Sequence, residues 1–343
     1  MLLTVVHMKY VQGEILTKDG FVSGYFGFEQ DQKIGEVRKG TPPEKPVVKG
    51  LILPTVVNSH THIGDSFIGS KHLQLSRNVK DLVAPPTGLK HRLLKEASEQ
   101  EILEGIQMSL VKMTASGTTC FCDFREGGLI GIFQIRKAMK NSSIDSVILS
   151  RPSQMTYEKE ELDRLLQNSD GIGLSSISDW EPSEIEKIAK HVRTKKKLFA
   201  LHASEVARED IDGILDLHPN LLVHMIAATK ADLERVKDVN VPIVVCPRSY
   251  LFFRLKNNLV LMKKTGVTLL LGTDNAMINT PDVIEEVRML LQTGAFSLEE
   301  LLTNVTYTPR KALNLDDCIQ GRDLSEKFIV LERDSLKLLY VPK

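Results

Sequence analysis

The chain of 343 residues carries 44 basic and 44 acidic side chains, with 42% of its residues hydrophobic and 26% charged. That is the composition of a soluble globular protein, long enough for one large α/β barrel or two ordinary domains. Balanced charge argues against a phosphate-backbone binder and no apolar stretch reaches the roughly 20 residues that span a bilayer, so neither nucleic acid nor membrane is expected as a partner.

Residues 1–7 are apolar but too short for a signal peptide, which makes the cytoplasm the expected location. Residues 1–49 hold turn signals at Gly13, Asp19-Gly20, Gly35 and Pro42-Pro43, with short alternating strands between them. Residues 321–343 look similar. The two ends are therefore expected to build one small β-domain, the alternative being an unstructured arm at each end, around a barrel domain of residues 50–320.

Inside 50–320, eight short apolar, β-branched runs alternate with amphipathic stretches, at 51–62, 118–124, 146–151, 171–176, 198–202, 221–224, 242–246 and 268–274. Helices are predicted over 99–115, from the spacing of Ile102, Ile106, Leu110 and Met113, and over 182–192, which opens with Pro182 in its first turn. After the eighth run, helices are expected from Thr280 to Leu291 and over 297–304 and 309–313. The fold class predicted is α/β, a (β/α)8 TIM-like barrel with a small β-domain formed from both chain termini. Of the four cysteines, Cys120, Cys122, Cys246 and Cys318, the first two share a strand face and read as core thiols; four are too few for a disulfide scaffold.

Reactive residues of such barrels sit at the C-terminal ends of strands, so the polar residue that closes each run carries the information. The first run ends His60-Thr-His62, the fifth His202, the sixth His224 and the eighth Asp274. The two-residue period of a strand sends His60 and His62 to one face, as a clamp for a metal. His202 and Asp274 complete a set of three imidazoles and one carboxylate, which suits zinc or iron(II).

These residues resemble the amidohydrolase superfamily, in the branch of cytosine, nucleoside-thioether and guanine deaminases and triazine chlorohydrolases. The resemblance rests on Leu53-Pro-Thr-Val-Val-Asn-Ser-His-Thr-His62, His202-Ala-Ser-Glu205, Val223-His224, Cys246-Pro-Arg-Ser249 and Gly272-Thr-Asp-Asn-Ala276. The chain departs from the branch in its shorter length and in Thr55, where the pattern usually has glycine. What the resemblance implies is one divalent metal ion, Zn2+ or Fe2+, on His60, His62, His202 and Asp274. It further implies catalytic roles for Glu205, which shuttles protons to a ring nitrogen, for His224, which polarises water or substrate, and for Asp274. Binuclear relatives place a lysine at the end of the fourth strand, and residues 171–176 contain none. The expected reaction is hydrolysis of a carbon-nitrogen bond outside peptides, by metal-bound hydroxide, releasing ammonia from an aminopurine, aminopyrimidine or nucleoside derivative. An amide hydrolase or chlorohydrolase is the alternative, and a catalytically silent scaffold the alternative of another class.

Candidate substrate contacts are Phe67, Arg151, Trp180, Arg248 and Asn275. Arg125, Arg151 and Arg248 each follow a strand end and would suit a carboxylate or phosphate, or else pair with nearby acids. Trp180 would stack on a heterocycle or anchor its loop, and the stretch 63–89 would wall the pocket. The expected partner is a small molecule, with a homodimer unsurprising.

Overall fold

A computed structural model describes residues 8–29, 34–315 and 328–342. Fourteen strands are found there. They begin with β1 (Lys9–Thr17), β2 (Gly20–Phe28) and β3 (Val48–Pro54), continue with β4 (Val56–His62), β5 (Thr118–Arg125), β6 (Asp145–Ser150), β7 (Gly171–Leu174), β8 (Leu198–Ala203) and β9 (Leu221–His224), and then β10 (Ile243–Val245), β11 (Leu269–Leu271) and β12 (Asp274–Asn275). β13 (Phe328–Leu331) and β14 (Leu338–Tyr340) follow.

Both ends of the chain meet in one five-stranded sheet of order β14-β13-β3-β1-β2. Its first hairpin turns at Lys18-Asp19, with Thr17 opposite Gly20 and the Thr17 hydroxyl donating to the Gly20 carbonyl at 2.7 Å. Phe328 packs edge-on against Phe26 and Phe28, with ring centroids 5.1 Å apart in each pair, over Val11, Ile15, Ile52 and Val330. Aromatic edges and β-branched side chains on one pleated face are what bind such a sheet together.

The run predicted as the first barrel strand, 51–62, is two strands. β3 runs parallel to β1 and antiparallel to β13 in the small sheet, and the chain enters the barrel only at Val56. Periodicity did not reveal the break, because residues 51–54 and the Val56-Val57 pair that opens the barrel strand form one buried apolar run across Thr55. Residues 50–54, expected in the barrel, therefore belong to the terminal sheet.

The second sheet is parallel, in the order β11-β10-β9-β8-β7-β6-β5-β4-β12. β11 and β12 are one run interrupted at Gly272-Thr273: its first half pairs with β10, its second half with β4. The amide of Gly272 donates to Val245 O at 3.1 Å and that of Thr273 to His60 O at 3.0 Å, so the eighth stave joins the seventh to the first and closes the barrel. Asn58 buttons this seam, its amide donating to Thr273 Oγ1 at 2.8 Å while its Oδ1 accepts the Thr273 amide at 3.1 Å.

The predicted helices form with their end signals. Glu99–Ala115 starts at a Ser98/Glu101 capping box and buries Ile102, Ile106, Leu110 and Met113; Pro182–Thr194 has its proline in the first turn. The helix expected from Thr280 begins later, at Val283, because Asp282 caps it by accepting the Ile284 amide. Cys120, Cys122 and Cys246 are buried, while Cys318 and His7 lie outside the described residues. Among the described residues no helix is long and apolar enough to cross a membrane.

Candidate metal and catalytic site

The first, fifth, sixth and eighth staves deliver their last polar side chains to one point. One ligand atom each from His60, His202, His224 and Asp274 lies within 4.8 Å of the others. His62 reaches the same point, its Nε2 3.4 Å from His202 Nε2 and 3.7 Å from Asp274 Oδ1. Three of the strand ends leave their strands through left-handed backbone, at Ser204 (φ 44°), His224 (φ 75°) and Asp274 (φ 59°). Such conformations cost about 1–3 kcal/mol each for non-glycine residues and gather at sites whose geometry is imposed by surrounding structure.

The tautomers follow from the neighbours. His62 Nδ1 lies 3.0 Å from Phe124 O, and His202 Nδ1 lies 2.8 Å from Leu174 O. A carbonyl only accepts, so both Nδ1 atoms carry the proton and both Nε2 lone pairs face the cluster. His60 is fully buried and neither ring nitrogen has a hydrogen-bond partner; Asp274 Oδ1 stands 3.4 Å from its Nε2. His224 is held differently, between the Tyr250 hydroxyl at 3.4 Å from Nδ1 and Glu205 Oε1 at 3.6 Å from Nε2. Burial lowers His62 to about 4, helped by the Lys90 charge, and lowers His224 to about 3, so both are neutral at pH 7. His202 is pushed down by burial and by its imidazole neighbours. Burial alone would raise Asp274, but its contact with His60 and its electrostatic coupling to the imidazoles of His224, His60 and His62 hold it well below the usual carboxylate range. Glu205 moves the other way: burial and the nearby Asp274 charge push it up to about 8.

A buried, unpartnered imidazole among bare Nε2 atoms and an ionised carboxylate is a donor set with a place for a cation. The residues fit one. Three or four nitrogens and one oxygen at this spacing match the ligands of zinc or iron(II).

Behind His62 stands a pair that sequence reasoning missed. Glu126 Oε1 lies 3.0 Å from His62 Nδ1 and 2.6 Å from Lys90 Nζ, and Lys90 Nζ is 3.4 Å from Asn275 Oδ1. Lys90 holds the Glu126 carboxyl well below its ordinary value against the opposing effect of burial. Asn275 in turn donates to Asp274 Oδ1 at 2.7 Å. Glu126 follows directly on β5, whose end carried no histidine to mark it, and Lys90 lies on a helix of the β4–β5 connection with no sequence signal at all.

The cluster floors a cavity of about 630 Å³. His62, His202, Glu205, His224, Asp274, Asn275 and Arg151 line it, and residues 77–87 form much of one wall, in keeping with the pocket-wall expectation for 63–89. Three expected substrate contacts are elsewhere. Phe67 is buried against the helix Glu99–Ala115, where a Cβ on Gly105 would stand 2.6 Å from the Phe67 amide nitrogen. Trp180 is a buried loop anchor, its Nε1 donating to Ser175 Oγ at 3.1 Å. Arg248 donates to Glu286 at 2.6 Å and to the Thr280 and Asp282 carbonyls at 2.7 and 3.0 Å, pinning the segment after the eighth stave. Arg125 likewise turns outward, to Gly131 O at 3.1 Å and Gln134 Oε1 at 3.1 Å.

A sequence model of the family described as Amidohydrolase family matches residues 51–319. An uncharacterised protein of Methanocaldococcus jannaschii is 31% identical over 328 residues, covering 90% of this chain and 82% of its own length. Among solved structures, Helicobacter pylori aminofutalosine deaminase in complex with methylthio-coformycin superposes with a TM-score of 0.70 at 16% identity, over 95% of this chain and 93% of that one. Atrazine chlorohydrolase from Arthrobacter aurescens, complexed with zinc, gives a TM-score of 0.73 at 15% identity, over 96% and 88%. At those identities the structures establish the TIM-barrel fold.

Proposed function

We propose, for a chain that belongs to the amidohydrolase family, a metal-dependent aminohydrolase that releases ammonia from a heterocyclic amine. The observation that carries this reading is Glu205, a partly buried carboxyl pushed up to about 8, standing 3.6 Å from His224 beside the His/Asp cluster. Plain hydrolysis needs a base; deamination of a ring also needs an acid that still holds its proton at neutral pH.

His60, His62, His202 and Asp274 would hold one divalent cation, zinc or iron(II). The backbone-anchored tautomers of His62 and His202 support their place as ligands, and the side-chain partners of His224 support a proton-handling role for it instead. When bound, the cation supplies Lewis-acid activation of water at neutral pH. Asp274 accepts the proton of the attacking water. Glu205 donates its proton to the ring nitrogen next to the reacting carbon, and His224 steadies the oxygen being added there. Return of a proton to the exocyclic nitrogen lets ammonia leave.

The test is metal content by plasma mass spectrometry together with ammonia and chloride release on a panel of aminopurines, aminopyrimidines and chlorotriazines. Bound zinc or iron near one equivalent with ammonia from a ring amine supports the reading. Chloride release without ammonia, or a protein that binds no metal, overturns it.

A further inference from the structure

Four cationic side chains line the cavity, Arg77, Lys80, Lys90 and Arg151. Lys90 is committed to Glu126 at 2.6 Å, Arg77 donates to Phe252 O at 2.6 Å and lies over that ring, and Lys80 is exposed at the rim. Arg151 differs. It follows β6 on the third stave, partly buried, and its backbone amide reaches Arg125 O at 3.2 Å. Among the described residues its guanidinium has no hydrogen bond and no ion pair. The two carboxylates whose charge it feels are Glu126, already engaged by Lys90 and His62, and Asp179, which sits beside Ser175. A guanidinium cannot shed its proton to relieve the cost of partial burial, as a lysine can, and it presents a fork suited to two oxygens.

Two features of the cavity point the same way. At about 630 Å³ it falls in the range of sites for drug-sized ligands, roughly 300–1,000 Å³, well beyond what a bare base fills. Its lining includes no Phe, Tyr or Trp among the described residues, so it offers none of these rings as a stacking platform.

We propose that the substrate is a heterocyclic amine carrying an anionic group, a carboxylate or a phosphate, which Arg151 receives through paired N–H donors while the ring faces Glu205 and the histidines. This rests on the deaminase reading above. A charge-assisted bidentate contact of this kind corresponds to about 30- to 100-fold in kcat/KM.

The experiment uses the metal-loaded protein and a matched series of 6-aminopurine ribonucleosides bearing a 5′-hydroxyl, a 5′-phosphate or a 5′-carboxylate. Ammonia release is measured for the wild type, Arg151→Met and Arg151→Lys, and binding of the matching 6-oxo products by calorimetry. One anionic member should exceed the neutral one by about 30- to 100-fold in kcat/KM; which one does so separates phosphate from carboxylate. Arg151→Met should bring the anionic-to-neutral ratio close to one, with Arg151→Lys between, because a point charge lacks the fork. Equal handling of neutral and charged members by the wild type, or an unchanged ratio in Arg151→Met, overturns the proposal. If neither this series nor the aminopyrimidines release ammonia, the deaminase reading fails by itself and calorimetry decides on Arg151: tighter binding of an anionic product, lost in Arg151→Met, upholds the anion site, and equal binding removes it.

Discussion

Lys90→Met probes the pair behind the metal site. Lys90 Nζ and Glu126 Oε1 are 2.6 Å apart, and the two side chains are 4% and 8% exposed. Removing one partner of a buried ion pair leaves the other charge in low dielectric, at a cost of about 3–5 kcal/mol, a large part of the roughly 5–15 kcal/mol that holds a typical domain. The assay is urea denaturation of the metal-free protein. The pH dependence gives the sign. In the wild type the Glu126 carboxyl is held below its ordinary value, so its contribution is present above the unfolded value of about 4.3 and lost only as pH falls through the folded one. In Lys90→Met burial acts without the cation and raises that carboxyl. Its penalty is then largest at neutral pH and relieved on acidification, so the gap to wild type should narrow as pH falls from 7 to 5. Replacing Lys90 and Glu126 together by methionine should recover stability to within about 2 kcal/mol of wild type, since no stranded charge remains. A single variant within about 1 kcal/mol of wild type at pH 7, or a gap that does not narrow in acid, would refute the assignment of an ionised, mutually dependent pair.

Glu205→Gln should lower kcat about 100-fold or more while metal content stays unchanged. Because the proton on Glu205 is lost as pH rises through about 8, the wild-type rate should fall on that alkaline limb, and the Gln variant should lack it; a limb that survives the substitution assigns it to another group. Gly272→Ala would place a methyl 2.7 Å from His60 Cβ and 2.9 Å from its backbone nitrogen and oxygen. It should cost about 1–3 kcal/mol and weaken metal binding, read by thermal melting and metal titration. Phe67→Ala should lower stability by about 3–5 kcal/mol in urea while KM changes little, whereas a substrate contact would raise KM without that loss.

The eight staves and their terminal residues were legible because a parallel barrel imposes buried β-branched runs and puts polar side chains at their C-terminal ends. His60, His62, His202, His224 and Asp274 could be placed without coordinates on that rule alone. The boundary at Thr55 was not legible: a strand of the small sheet runs straight into a barrel strand, apolar up to Val57, with no turn residue between. Nor were Lys90 and Glu126, since their role depends on a connection folding back over the mouth, and neither charge has a pattern of its own. Phe67, Trp180 and Arg248 show the reverse error. Each follows a strand end and so has an address near the mouth, yet side-chain direction, set by Gly105, Ser175 and Glu286, turns it into the protein body.

The seam between the first and eighth staves ties positions 215 residues apart, Asn58 to Thr273, and the same two staves bring His60 and His62 against Asp274. Contacts this distant in sequence carry a large loop-closure entropy that must be met before they stabilise the fold. Cation affinity therefore reports on annealing of the cylinder as well as on catalysis: an ion bound only to the closed form stabilises it by RT ln(1 + [M]/Kd). Amide exchange at Gly272 and Thr273 should slow with added metal more than exchange in the terminal sheet, which makes this seam the place where occupancy of the site and integrity of the fold become one equilibrium.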